Sequence, residues 1–239
     1  MAAAHVQHTS VRWFGGSGTS ESTANFGASV AAGNLIVVVV AWGTTTSTIN
    51  SVADTAGNTY TLIDSGSDGT SGTMSTYYAK NVLGGAAFHV TVTWSADPGF
   101  GYLAAHEASG LDTVAPLDQH VIGPAQSFVG AGTFTPTSTA KTTTAGGEYI
   151  FGATFDDQGN GSANQTITAG SGYTLRASPD AWAATESQVQ SSAGSIAATY
   201  SDVLGAVQAN LLTAMATFTV SSAPAPVIPV TIMPPYLPY

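Results

Sequence analysis

The chain has 239 residues, four Lys or Arg against fourteen Asp or Glu, and a formal charge of −10. Charged residues make up 8% of it, about a third of the roughly 25% usual in soluble domains, and Ser, Thr, Gly and Ala take their place. The four cations, Arg12, Lys80, Lys141 and Arg176, lie singly along the chain. They form no basic stripe, which excludes nucleic acid as a partner, and the acidic excess argues against docking on an anionic membrane.

The N-terminus, Met1-Ala-Ala-Ala-His5-Val-Gln-His8, lacks the cationic start and apolar core of a secretory signal. The expectation is a protein made and kept in the cytoplasm unless something else exports it. With no cysteine, neither disulfides nor thiolate metal sites hold the fold, so stability must come from burial.

Period-two patterning predicts strands near Ser10–Phe14, Asn34–Trp42, Ile49–Ala53, Thr59–Asp64, Met74–Asn81, Ala87–Ser95 and Tyr102–Ser109, separated by Gly, Asn, Asp and Ser clusters. Leu35–Trp42 is apolar at every position and far short of a membrane span, so it is expected to be a strand buried on both faces. A second series follows near Gln119–Ile122, Ser127–Phe134, Glu148–Phe155, Gln165–Ala169, Tyr173–Ala177, Ala183–Gln190, Ser195–Ser201 and Leu211–Val220. Ala181–Gln190 and Val203–Met215 are Ala-rich, but Thr185, Val189 and Gly205 weaken a helix, and both are assigned as strand.

The two series align. Asn58-Thr-Tyr-Thr-Leu62 is echoed by Gly172-Tyr173-Thr-Leu175, and Leu35, Tyr60, Gly85 and Glu107 correspond in order to Tyr149, Tyr173, Gly194 and Ala216. The expected fold is all-β: a single large jelly-roll-like β-sandwich over 1–220 with internal pseudo-duplication, its half-repeats about 1–110 and 111–220. Two Ig-like sandwiches are the alternative. Ser109–Gln119 is expected to be a tight, apolar-anchored crossover between the halves.

From 221 to 239 the composition changes. Six prolines exclude a helix or a central strand, so the backbone should be extended. Val227, Ile228, Val230, Ile232, Met233, Tyr236, Leu237 and Tyr239 gain nothing from water, which marks the segment as a docking tail.

Catalytic signals are weak. His106-Glu107 with Asp112 and Asp118 nearby allows a carboxylate pair, but Glu107 is better explained as a structural group capping the Ser109-Gly110 corner. Asp54-Thr-Ala-Gly57-Asn58 and Asp156-Asp-Gln-Gly159-Asn-Gly161 offer oxygens to calcium without its spaced loop pattern, and both read better as β-turns. Among the five histidines only His5-x-x-His8 has any ligand spacing, at an end expected to fray, so no metal or cofactor is expected. No nucleophile elbow is present, and Gly15-Gly-Ser-Gly18 lacks the lysine and helix of a phosphate loop. Tyr77, Tyr78, Phe100 and Tyr102 are candidate sugar-stacking aromatics, whereas Trp42 and Trp94, each ending an alternating strand, suit the core.

The succession Gly33-Asn-Leu-Ile-Val-Val, Ser51-Val-Ala-Asp-Thr-Ala-Gly-Asn-Thr-Tyr-Thr, Tyr78-Ala-Lys-Asn, Val90-Thr-Val-Thr, Glu107-Ala-Ser-Gly-Leu-Asp, Ala169-Gly-Ser-Gly-Tyr-Thr-Leu-Arg and Ala216-Thr-Phe resembles a widespread, mostly uncharacterised bacterial and phage β-sandwich family. The resemblance implies a building block of surface or virion proteins and transfers no catalytic residue. With the absence of an export signal, it leads to the expectation of a non-enzymatic phage virion structural protein, as a capsid decoration or head fibre protein or otherwise a tail component. Its partners would be other virion proteins such as the major capsid protein, or copies of itself. It would be made in the host cytoplasm. The alternative is a carbohydrate-binding module at a cell or phage surface that engages host glycans.

Overall fold

The structure, a computed structural model, describes residues 2–15, 18–156, 165–180, 182–205 and 208–221. The first half contributes β1 (Ala4–Trp13), β2 (Ser20–Ser22), β3 (Leu35–Trp42), β4 (Ile49–Asp54), β5 (Thr61–Ser67), β6 (Thr73–Ala79), β7 (Val90–Trp94) and β8 (Gly101–Ser109). The second contributes β9 (Leu117–Ile122), β10 (Gln126–Val129), β11 (Gly132–Phe134), β12 (Lys141–Thr142), β13 (Glu148–Asp156), β14 (Thr166–Ala169), β15 (Thr174–Asp180), β16 (Ala183–Gln190), β17 (Ser195–Ile196), β18 (Tyr200–Leu204) and β19 (Gln208–Phe218). No helix occurs among the described residues, and the two Ala-rich windows form β16 and parts of β18 and β19.

The protein is all-β, built of antiparallel sheets stacked as sandwiches, and its duplication is visible in the pairing. One main sheet has the order β1-β8-β3-β6-β5; the other has β10-β19-β13-β16-β15, with β9 also pairing β19. Smaller sheets, β2-β7-β4 in the first half and β11-β18-β14 with β12-β17 in the second, cover their outer faces. The inner faces of the main sheets pack on each other around a shared core. Each half is thus a sandwich of its own, as in the two-sandwich alternative, and the shared core joins both into one pseudo-symmetric body.

This layering explains the apolar run of β3. Leu35, Val37, Val39 and Ala41 enter the shared core, while Ile36, Val38, Val40 and Trp42 enter the outer core of the first half against Val90, Val92 and Trp94. A sheet covered on both faces needs apolar residues at both parities. Trp42 and Trp94 meet edge-to-face at 6.5 Å between ring centres, so both are core residues.

The equivalence extends to irregularities. An extra residue, Ile63, sits in β5 between Leu62, opposite Tyr77, and Asp64, opposite Thr76; in β15 it is Arg176, between Leu175, opposite Glu186, and Ala177, opposite Thr185. In β1 the four residues His5 to His8 lie opposite three on β8, Ala108 to His106, and in β9 the four residues Leu117 to His120 lie opposite Phe218 to Ala216. β1 packs on β15 and β5 on β9, so the halves meet as a pseudo-dimer about an internal two-fold axis.

Two expected strands are broken. Ser127–Phe134 divides into β10 and β11 around Gly130 (φ 90°), which carries the chain from the main sheet to the outer sheet. Ser195–Ser201 divides into β17 and the start of β18. At the crossover, Gly110 has φ 76°, and a side chain there would meet the Ala2 carbonyl oxygen at 2.1 Å. Leu111 is buried in the shared core, and the Asp112 carboxylate accepts the Val114 and Ala115 N–H groups at 2.7 and 2.9 Å.

Candidate functional site

The carboxylates that catalysis or calcium would require are bonded within the fold. Glu107 is wholly buried in mid-β8: Oε1 accepts the Ala31 N–H at 2.8 Å and Asn34 Nδ2 at 2.6 Å, and Oε2 accepts Gln7 Nε2 at 2.6 Å. These bonds hold the 28–34 loop and β1, so Glu107 does not take the expected role of capping the Ser109-Gly110 corner. Asp118 accepts the Thr144 backbone N–H and hydroxyl. Asp54 accepts three backbone N–H groups, from Ala56, Gly57 and Asn58, as well as Asn58 Nδ2 and the Tyr60 hydroxyl. Five donors occupy its lone pairs, which makes the 54–58 segment the turn that its composition suggests. Asp156 is buried and accepts the Asn210 N–H and Gln165 Nε2, each at 3.2 Å. The rest of its expected loop, 157–161, lies outside the described residues, as do Gly16 and Ser17 of the glycine-rich stretch.

The structure separates Tyr77 from the other three candidate sugar-stacking aromatics, and strand alternation does so for its neighbour Tyr78. Tyr78 turns inward to the shared core, 6.0 Å from the Phe218 ring centre, and Phe100 packs there on Trp182 and Phe155. Tyr102 is 1% exposed. Tyr77 faces the other way and lines a groove of about 390 Å³ with Trp42, Leu62, Ser65, Thr73 and Ser75. Leu62, directly opposite Tyr77, is 51% exposed, and the Ser65 and Ser75 hydroxyls are bonded at 2.8 Å along the groove. A flat ring beside clustered hydroxyls suits a polyol ligand. In the second half Glu186 holds the position of Tyr77, and its carboxylate accepts the Gly170 and Thr199 N–H groups, tying two loops together there.

A second cluster joins β1 and β8. His5 and His8 do not lie at a frayed end: both are in β1, where His8 sits opposite His106, and the extra residue Val6 resets the alternation so that His5 shares their face. One ring nitrogen from each of the three lies within 4.8 Å of the others. His5 Nε2 and His106 Nδ1 are 3.5 Å apart, the His8 and His106 rings stack at 5.4 Å, and Phe151 backs His106 at 5.1 Å. His106 is wholly buried, His5 half-buried and His8 exposed. Burial, reinforced by the Arg176 charge, lowers His5 to about 4 and lowers His8; burial, with His5, His8 and Arg176, holds His106 well below the ordinary histidine value. All three rings are therefore neutral at pH 7, with lone pairs a metal could use. The sequence carried a missed signal: Gln7-His8 recurs as Gln119-His120, which marks β1 as the counterpart of β9 in the other half and hence as an ordered strand.

The candidate docking residues Val227, Ile228, Val230, Ile232, Met233, Tyr236, Leu237 and Tyr239 lie outside the described residues. No family model, curated protein or solved structure matches the chain.

Proposed function

We propose that the protein is a non-enzymatic structural component of a phage particle: a capsid decoration or head fibre protein, or otherwise a tail component. Its stacked sandwiches would project from the particle while residues 223–239 dock on a neighbouring subunit, either the major capsid protein or another copy of this chain. The observation that carries this reading is the anchorage just before that segment. The Ser221 N–H bonds the Gly110 carbonyl at 3.0 Å and its hydroxyl bonds the Leu111 carbonyl at 2.7 Å, so the apolar, proline-punctuated stretch starts from a fixed corner. An extended segment can add main-chain hydrogen bonds to an open sheet edge while Tyr236, Leu237 and Tyr239 fill pockets. Many identical contacts on a symmetric lattice then act by avidity. Support also comes from Glu107, Asp118, Asp54 and Asp156, whose oxygens accept hydrogen bonds within the fold, and from the family resemblance. Deleting 223–239 should leave a protein of unchanged thermal stability that no longer joins the particle; unchanged incorporation would overturn the reading.

The Tyr77 groove favours a second reading, a carbohydrate-binding surface module, in which the same hydroxyl-rich face meets host glycans.

A further inference from the structure

We propose that His5, His8 and His106 bind a single divalent transition-metal ion of the zinc type, through one imidazole nitrogen each, with a further position open to water or an incoming ligand. The inference stands apart from the phage reading and requires nothing of the tail.

Geometry is the first support. Two nitrogens across a tetrahedral zinc lie about 3.3 Å apart, given Zn–N bonds of about 2.0–2.1 Å. His5 Nε2 and His106 Nδ1 are already at 3.5 Å. The remaining closure falls to His8, the exposed member, which can turn without disturbing the core. A set of three imidazoles favours zinc, copper or nickel over calcium and magnesium, which require oxygen.

The twin half supplies an independent comparison. The pairing registers place Leu117 at the position of His5, His120 at that of His8 and Ala216 at that of His106, which corrects the expected Glu107–Ala216 correspondence by one residue and puts Thr217 at the position of Glu107. The same bulge in the same sheet position is thus built there with one histidine among apolar residues, so packing at this seam does not demand imidazoles. Three histidines converging in one half only, one of them wholly buried, are an addition to the scaffold rather than a part of it.

Arg176 works against the ion. It stands where the first half has Ile63, its Nε donates to Ser187 Oγ at 2.8 Å, and its charge acts on all three rings. It should weaken the site without abolishing it. Occupation would clamp the edge strand β1 to β8, and the exposed His8 side would leave the remaining coordination position facing solvent, as in zinc sites that hold water.

The test is titration of the untagged full chain with Co²⁺, followed by its visible ligand-field absorption, with Zn²⁺ then added to displace it. One equivalent of Co²⁺ should give a four- or five-coordinate spectrum that Zn²⁺ abolishes, and Zn²⁺ should raise the melting temperature. His8→Ala, at an exposed position, should weaken binding by at least about tenfold, in line with the sensitivity of metal sites even to their outer-shell groups. Arg176→Met should tighten it severalfold, and His120→Ala, in the twin half, should leave it unchanged. Absence of the cobalt band, or a band that survives His8→Ala and His5→Ala at undiminished affinity, would overturn the proposal.

Discussion

Ile63 and Arg176 occupy the same place in the two halves: each is the extra residue of an edge strand, directly after the equivalent leucines Leu62 and Leu175. Ile63 fills the shared core with hydrocarbon, whereas Arg176 brings a guanidinium to the seam of the other edge. Because β1 lies on β15 and β5 on β9, the halves exchange equivalent edges across one core and neither buries its inner sheet alone.

That sharing predicts a single unfolding transition. Phe151→Ala, in the middle of the shared core, should cost about 3–5 kcal/mol. In urea, the environment of Trp42 and Trp94 in the first half and that of Trp182 at the seam should change at the same midpoint. Two separated transitions would refute the shared core as the source of cooperativity.

Glu107→Gln addresses the carboxylate around which the sequence allowed an acid–base pair with Asp112 or Asp118. The amide keeps the size but turns one acceptor oxygen into a donor facing Ala31, Asn34 or Gln7. A buried donor left without its acceptor costs about 1–3 kcal/mol, so the denaturation midpoint should fall by a corresponding amount. A variant as stable as the parent would show that the carboxylate is not holding the loop.

What the sequence disclosed, and what it hid, follow from the range of the interactions. The unbroken apolar run Leu35–Trp42 announced burial on both faces because each parity meets a different core. The Tyr60 and Tyr173 echo disclosed the duplication because turns and strand starts are local. Residues whose roles depend on distant partners were opaque. Glu107 is bonded to groups 73, 76 and 100 positions away, and His106 meets His5 at a separation of 101. The bulge at Val6 is equally invisible, since it depends on register against β8, and without it His5 would face away from His8. Tyr77 and Tyr78 were separable in principle, because neighbours in a strand point to opposite faces.

Asp54→Ala removes the hub of the 54–60 turn, with its three backbone donors, the Asn58 amide and the Tyr60 hydroxyl. Loss of hydrogen bonds to a charged acceptor, each worth about 1.5–3 kcal/mol, should lower stability by at least about 2 kcal/mol. Calcium added to the parent should leave its melting temperature unchanged, because the lone pairs a cation would need are occupied. A calcium-dependent rise that disappears in the alanine variant would show the loop to be a cation site instead.

Asp202 and Glu186 should make stability depend on pH in a defined direction. Burial pushes Asp202 up to about 6 against a hydrogen bond from Gln165, and pushes Glu186 up to about 7 against the Gly170 and Thr199 N–H groups. Both native values lie above the unfolded ones, so the native state holds these protons more tightly. Their contribution is complete below about pH 4, where both states are protonated, and declines as pH rises through 6 and 7. The histidines, whose values are lowered, act in the opposite sense, so parent and variant must be compared at the same pH. Asp202→Asn keeps an oxygen for Gln165 and cannot ionise. It should match the parent at pH 4 and exceed its denaturation midpoint at pH 8; equal midpoints at pH 8 would refute the direction of the shift.

Tyr77→Ala and Tyr78→Ala separate recognition from packing on one strand. Tyr77 lines the groove with Leu62, Ser65 and Ser75, while Tyr78 meets Phe218 in the shared core. Truncating Tyr78 should cost about 1–3 kcal/mol, the usual range for opening a cavity at a partly buried site, with little effect on any ligand. Truncating Tyr77, which also packs on the outer core of the first half, should lower the unfolding midpoint as well but, unlike Tyr78→Ala, abolish retention on immobilised glycans, because stacking on an aromatic face supplies contact area that hydroxyls alone do not. Retention that survives Tyr77→Ala, or that fails only with Tyr78→Ala, would remove the groove as the glycan site.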